Sequence, residues 1–152
     1  MAREGPHPED LAEKFFSASH LLRRAVNGRF LVSDLTLARL KVLSILSLHE
    51  GLRMGELSHW IDVAPRTMTS TVEGLERDGL VTRTADPIDG RATVVTITDA
   101  GLERCKEGRR VHAGVVADVF AVLDENQKAV LGDALDRLMT AARKASDLPP
   151  KD

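Results

Sequence analysis

Apolar positions along this chain recur first with a helical period. Leu11, Phe15, Ala18 and Leu22 stand at i, i+4, i+7 and i+11, and Phe16 and Leu21 widen the stripe, which predicts a helix over 9–27. Asn27-Gly28 suits its end, because glycine accepts the left-handed conformation past a helix terminus. Residues 1–8, polar and carrying two prolines, read as a tail. The next segment is apolar over most of its surface through Leu40, Val42, Leu43, Ile45, Leu46 and Leu48, the mark of a helix buried on several sides. Thr36 or Asp34 can cap it, and His49-Glu50-Gly51 stops it. A short third helix is expected over Met54–Ile61, then a tight connection, Asp62-Val63-Ala64. Pro65 sits where proline is best tolerated, in the first turn of a fourth helix that runs to Asp78 and is closed by Gly79. Met68, Val72 and Leu75 form its buried stripe.

The period then changes. Leu80–Ala85 and Ala92–Thr98 are short runs rich in Val, Thr and Ile, as strands prefer. The turn formers between them, Asp86-Pro87-Ile88-Asp89-Gly90, predict a β-hairpin with a longer loop. Thr98 can cap a long helix from Asp99 to about Leu123. Asp124, with Gln127 three residues on, forms a capping box for a last helix whose apolar face is Val130, Leu131, Ala134, Leu138 and Ala141.

Helix, short helix, tight turn, helix and hairpin is the order of a winged helix-turn-helix, in which the helix after the turn enters the DNA major groove. Here that helix begins with Arg66, Thr67, Thr69, Ser70 and Thr71. Hydroxyls can meet phosphates or base edges, arginine can pair bidentately with guanine, and an open helix start offers backbone N–H groups to a phosphate. Such a helix start suits plain solvent exposure equally well; its place between a tight turn and a hairpin favours DNA. Arg91 stands at the hairpin loop's exit, two residues after Asp89. An arginine there suits the narrow minor groove of A·T-rich DNA, and a neighbouring carboxylate can orient it. A surface ion pair of little consequence is the alternative.

The chain resembles the MarR family, the multiple-antibiotic-resistance type of bacterial transcription regulators. The resemblance runs from about Leu35 to Gly101. It rests on Leu75-Glu-Arg-Asp-Gly79-Leu-Val-Thr-Arg83, then Asp86-Pro-Ile-Asp89-Gly-Arg91, then Val95-Thr-Ile-Thr98-Asp-Ala-Gly101. These segments are specific together and weak singly. The resemblance implies a mainly α fold with a small β-hairpin wing, the winged helix-turn-helix lobe at 31–98 lying between dimerization helices at 9–30 and 99–146, with tails at 1–8 and 147–152. It implies an obligate homodimer on a double-stranded, pseudo-palindromic operator, with half-sites about one helical turn apart. It makes Arg91 the minor-groove arginine and Asp89 its orienting partner. It also implies a repressor released by a small aromatic or phenolic ligand held between the dimerization helices and the DNA lobe. Candidates to bind it are Phe15, His20, Arg23 and Arg24 on the first helix and Trp60 near the third. Each has a structural alternative: Phe15 as core, His20 and Arg23 as interface polar groups, Trp60 as a tie between helices.

Charge complicates this picture. The formal net charge is −2, and residues 31–100 hold seven Lys and Arg against ten Asp and Glu. Many family members carry a basic residue mid-way along the recognition helix, where this chain has Ser70 and Glu73-Gly74. Phosphate attraction must then come from placement rather than sum, with a shallow salt dependence. The acidic lobe keeps open a second function, a winged-helix dimer that docks proteins without binding DNA. A catalytic domain would display convergent polar residues, which the chain does not.

The remaining chemistry narrows the field. Cys105 is the single cysteine, so no internal disulfide framework exists; Arg104 and Lys106 would favour a reactive thiolate, but no resolving cysteine accompanies it. The histidines form no metal-ligand spacing, and there is no phosphate loop or nucleophile motif, so no metal, no cofactor and no enzyme is expected. Met1–Lys14 has no apolar stretch like a signal peptide, and no segment has membrane-spanning length, which gives a cytoplasmic expectation with no membrane partner.

Overall fold

The computed structural model describes residues 5–30 and 35–145. The alternative cap Asp34, the start of the expected lobe at 31 and the tail at 147–152 lie outside the described residues. Within them the chain forms α1 (Pro8–Phe30), α2 (Leu37–Leu46), β1 (Leu52–Arg53), α3 (Met54–Ile61), α4 (Pro65–Arg77), β2 (Val81–Ala85), β3 (Thr93–Ile97), α5 (Asp99–Phe120) and α6 (Glu125–Ala145). The chain divides into two compact units within α5, after Val115.

The first unit holds the core. Val26 and Phe30 of α1, Leu40, Val42, Leu43 and Leu46 of α2, Leu57 of α3, and Met68, Val72 and Leu75 of α4 are buried together with Val81, Val95 and Cys105. Burial of Phe30 explains why α1 outruns the expected stop at Asn27-Gly28: another turn of helix puts a large ring into the core, which outweighs the modest cost of glycine in a helix. Asn27 instead accepts a hydrogen bond from the Leu37 N–H at 2.9 Å and so ties α1 to the start of α2. Thr36 caps α2 through Arg39 N–H. Leu48 falls beyond the end of α2 and is exposed. Phe15, for which the core is the alternative to a ligand role, is 48% exposed in this chain, and most other apolar positions of its stripe are exposed too; Leu22 alone of them packs against the core.

The sheet is antiparallel, ordered β1-β3-β2. The hairpin β2–β3 was legible, with Val81 opposite Ile97 and Ala85 opposite Thr93. Strand β1 adds Leu52 opposite Val95. Two residues are too few for any periodic signal, so this strand escapes sequence reading. Asp62 closes α3 in the left-handed conformation (φ 59°), which turns the chain sharply into α4. Gly79 (φ 72°) does the same between α4 and β2. Thr98 accepts from Gly101 N–H (3.0 Å) and donates to Gly79 O (2.7 Å), which fixes the start of α5 against that turn.

In the second unit, Asp124 and Gln127 exchange hydrogen bonds at 2.8 and 3.0 Å, the expected capping box for α6. No residue of α6 is buried; Val130, Leu138 and Met139 are exposed.

Candidate nucleic-acid interface

Helix α4 turns its buried stripe of Met68, Val72 and Leu75 inward. The opposite row, Arg66, Ser70, Glu73 and Arg77, stands at i, i+4, i+7 and i+11 and is exposed throughout. Ala64 precedes the helix and has no side-chain cap to offer, and Pro65 carries no N–H, so the backbone donors of Arg66 and Thr67 are left open at the helix start. The hydroxyls behave differently from the sequence expectation. Thr69 donates to Pro65 O (3.0 Å), and Ser70 and Thr71 donate to Thr67 O (3.0 and 2.8 Å). Their protons are spent on the helix itself, so outward they present lone pairs and methyl groups.

The far end of α4 is clamped. Arg39, on α2, donates to Gly74 O at 3.4 Å and pairs with the Asp78 carboxylate. That hydrogen bond holds the Asp78 carboxyl below its ordinary range. Arg83 on β2 is held by Glu76, at 2.6 and 2.7 Å, with Glu73 further off at 3.9 Å.

The wing loop is organised by Asp86, which is 6% exposed. Its Oδ1 accepts from Asp89 N–H (3.0 Å) and Ile88 N–H (2.7 Å), and its Oδ2 accepts from Arg53 Nε at 2.6 Å. These bonds, the Asp89 N–H first and the Arg53 guanidinium next, pull its carboxyl from 3.8 down to about 2. The loop closes through Asp86 N–H to Ala92 O and Ala92 N–H to Asp89 O. Asp89 accepts from the backbone N–H of Arg91 at 3.2 Å, so its carboxylate shapes the chain at the tip rather than gripping the guanidinium. Arg91 is exposed, and among the described residues Arg66, Arg77 and Arg91 form no ion pair, while Arg39, Arg53 and Arg83 are each committed to a carboxylate.

Between α2, α3 and α5 of the first unit lies a cavity of about 400 Å³. Leu37, Leu40, Ile45, Trp60 and Ile61 give it apolar walls; Lys41, Ser44, Arg109 and His112 give it polar ones. Arg109 donates to Ser44 Oγ (3.2 Å), Ser44 O (3.2 Å) and Ser47 Oγ (2.9 Å), all neutral acceptors at the end of α2. Of the candidate ligand residues, only Trp60 lines this cavity. Phe15, His20, Arg23 and Arg24 sit exposed along α1, Phe15 edge-on to Phe16. Cys105 is buried, its Sγ 3.6 Å from Ser44 Oγ.

Sequence reasoning missed Asp86, Arg53, Arg39 and Arg109. Asp86 carried a signal: aspartate before proline, with backbone donors two and three residues on, is an Asx-type turn. The three arginines act on partners 33 to 65 residues away, beyond any local pattern.

Comparison with known proteins places this architecture. The MarR family pattern matches residues 35–93. An uncharacterised HTH-type transcriptional regulator of Mycobacterium bovis is 30% identical over 129 residues, covering 85% of this chain and 90% of the relative. An HTH-type transcriptional repressor of Mycobacterium tuberculosis is 30% identical over 118 residues, 78% of this chain and 85% of the relative. Among solved structures, mutant MarR from E. coli complexed with operator DNA superposes with a TM-score of 0.76 at 22% identity, covering 85% of this chain and 93% of that one. The PcaV regulator of Streptomyces coelicolor, in complex with its natural ligand, gives 0.71 at 27% identity, covering 93% and 99%. With a turn-linked α3–α4 pair, a three-stranded wing and relatives matched over nearly their full length, the chain belongs to the MarR family of winged helix-turn-helix transcriptional regulators, a family of regulators and not of enzymes.

Proposed function

We propose that this regulator binds a pseudo-palindromic operator as a homodimer, with α4 in the major groove and Arg91 in the adjacent minor groove, and that a small aromatic or phenolic acid in the Trp60–Arg109 cavity releases it. The observation that carries the DNA reading is the set of cations kept unpaired. Arg66 and Arg77 lie on the outward row of α4 and Arg91 at the wing tip, while the other lobe arginines are neutralised within the fold. The open N–H groups of Arg66 and Thr67 add a phosphate seat at the helix start. Thr67, Thr69, Ser70 and Thr71 supply methyl groups and acceptors along the groove walls. Asp89 fixes the backbone from which Arg91 projects. The related E. coli MarR, crystallised on operator DNA, supports the same use of the fold.

The dimer reading rests on uncovered apolar surface. Leu11, Phe15, Phe16 and Leu21 on α1, and Val130, Leu138 and Met139 on α6, are exposed in the single chain. Helices at 9–30 and 99–146 are the proposed dimerization elements, flanking a DNA lobe at 31–98. Apolar patches of this kind mark protein–protein contact.

The effector reading rests on Arg109, a guanidinium whose partners among the described residues are all neutral, in a cavity of ligand size whose other wall is an indole. A carboxylate would meet Arg109 and His112, and a ring would lie against Trp60. His20 and Arg23 lie outside that cavity and fit the dimer surface better. Binding there shifts the two recognition helices relative to each other only if the ligand prefers the released state.

A gel-shift on the DNA immediately upstream of the protein's own gene tests the core of this. Wild type should retard it, Arg91→Ala should bind at least about tenfold more weakly, and salicylate-like acids should release wild type but not Arg109→Ala. Unchanged binding by Arg91→Ala would instead favour the protein-docking dimer that the acidic lobe allows. Lack of release by any such acid would remove the effector reading alone.

A further inference from the structure

The outward row of α4 contains one residue that electrostatics disfavours on DNA. Glu73 stands between Ser70 and Arg77, its side chain 56% exposed. No hydrogen bond engages its carboxylate among the described residues. Among the described residues its one ionic neighbour is Arg83 at 3.9 Å, and that guanidinium is already held twice by Glu76 at 2.6 and 2.7 Å. Glu73 is therefore not required to hold Arg83 in place, and its acceptor lone pairs remain available.

Near the sugar-phosphate backbone such a carboxylate is repelled. On the groove floor it finds partners, because the major-groove edge of cytosine presents an N4 amino donor that suits an acidic acceptor. Arg66 lies seven residues earlier on the same row, about 10 Å along the helix axis, a span that fits within one major-groove crossing. Ser70, between them, has turned its hydroxyl proton back to Thr67 O. The row thus presents a guanidinium, an acceptor and a carboxylate in sequence.

We infer that Glu73 is a specificity-determining residue that reads a cytosine amino group in each operator half-site. This rests on the DNA-binding reading above and deepens it. The same charge that accepts from cytosine is repelled by every phosphate on a site lacking one, so Glu73 also lowers affinity for unrelated DNA. The net-acidic lobe then becomes a device for discrimination: low background binding, with affinity recovered only where the amino group is correctly placed.

Selection of bound duplexes from a randomised pool tests this with wild type, Glu73→Gln and Glu73→Ala. Wild type should fix a C·G pair in each half-site, with discrimination there of about tenfold or more. Glu73→Gln should shift that position toward adenine, whose N6 and N7 match a carboxamide. Glu73→Ala should lose preference at that position alone, and both variants should bind unrelated duplex more tightly than wild type. A base profile unchanged in both variants, with affinity raised uniformly, would overturn the inference while leaving DNA binding intact. If wild type selects no duplex at all, the DNA-binding reading falls and takes this one with it.

Discussion

Asp86 gathers three hydrogen bonds on one carboxylate, from two backbone N–H groups of its own loop and from Arg53 across the sheet. The wing's shape depends on that carboxylate staying charged. Asp86→Ala should therefore leave the helices intact but loosen residues 86–92, so that Arg91 loses its fixed origin and operator affinity falls about tenfold, the worth of one well-placed contact. Its pH dependence has a definite sign. The carboxyl is depressed from 3.8 to about 2 on folding, so its stabilising effect is complete above pH 4 and disappears as pH drops from about 4 to about 2. Acid titration of the wing amides by NMR should show this transition in wild type and not in Asp86→Asn. At this scale the sequence was half legible. Arg91 and Asp89 were visible as tip residues, because turn formers cluster in sequence. The role of Asp89 toward the Arg91 backbone is a local bond two residues on, set by the loop's own conformation, whereas that of Arg53 depends on how the loop folds back onto β1, a two-residue strand with no pattern of its own.

At the scale of elements, most boundaries followed from caps, stripes and turn formers: α3 over Met54–Ile61, the Met68–Val72–Leu75 face of α4, the existence of the β2–β3 hairpin and the α6 capping box. Besides β1, too short to show a period, and the earlier end of α2 at Leu46, two departures come from packing against distant residues. The extension of α1 to Phe30 is dictated by burial against distant residues, which a local window does not contain. The seating of α5 is a further case. Gly101, Cys105 and Gly108, at i, i+4 and i+7, give this helix a buried face of small residues. A Cβ at Gly101 would stand 2.0 Å from Leu80 O, a backbone atom that can move only with the turn before β2. A Cβ at Gly108 would meet the side-chain ends of Leu35 and Leu40 at 2.6 and 2.8 Å, which can rotate away. Gly114 has open space around it. Denaturant unfolding should rank the alanine variants accordingly. Gly101→Ala should lose about 2–3 kcal/mol, Gly108→Ala about 1 kcal/mol, and Gly114→Ala should gain a few tenths of a kcal/mol to about 1 kcal/mol from helix propensity. Equal losses at Gly101 and Gly114 would refute the close packing of α5 on the β2 turn.

For the whole molecule, the decisive quantity is which charges remain once the fold has used its own. The chain has a formal net charge of −2, and a sum of that kind gives no hint of a polyanionic partner. The structure separates the sum into parts. Asp78, Asp86 and Glu76 are spent on Arg39, Arg53 and Arg83, which brace the far end of α4 and the base of the wing. On the proposed DNA face this leaves Arg66, Arg77 and Arg91 in each protomer, or six in a homodimer. If each displaced one condensed counterion, the plot of log affinity against log salt would have a slope of about −5. Any arginine that reads a base edge instead of a phosphate makes it shallower. From 50 to 200 mM salt, that slope caps the fall in operator affinity at on the order of a thousandfold, steeper than the shallow dependence the charge sum alone suggests. Gel-shifts across that range measure the slope directly. Arg77→Ala should flatten it by about one unit, without altering base preference, if Arg77 sits on a phosphate. A wild-type slope steeper than −5 would mean that cations outside α4 and the wing reach the DNA, and the operator would have to wrap beyond the surface these two elements present.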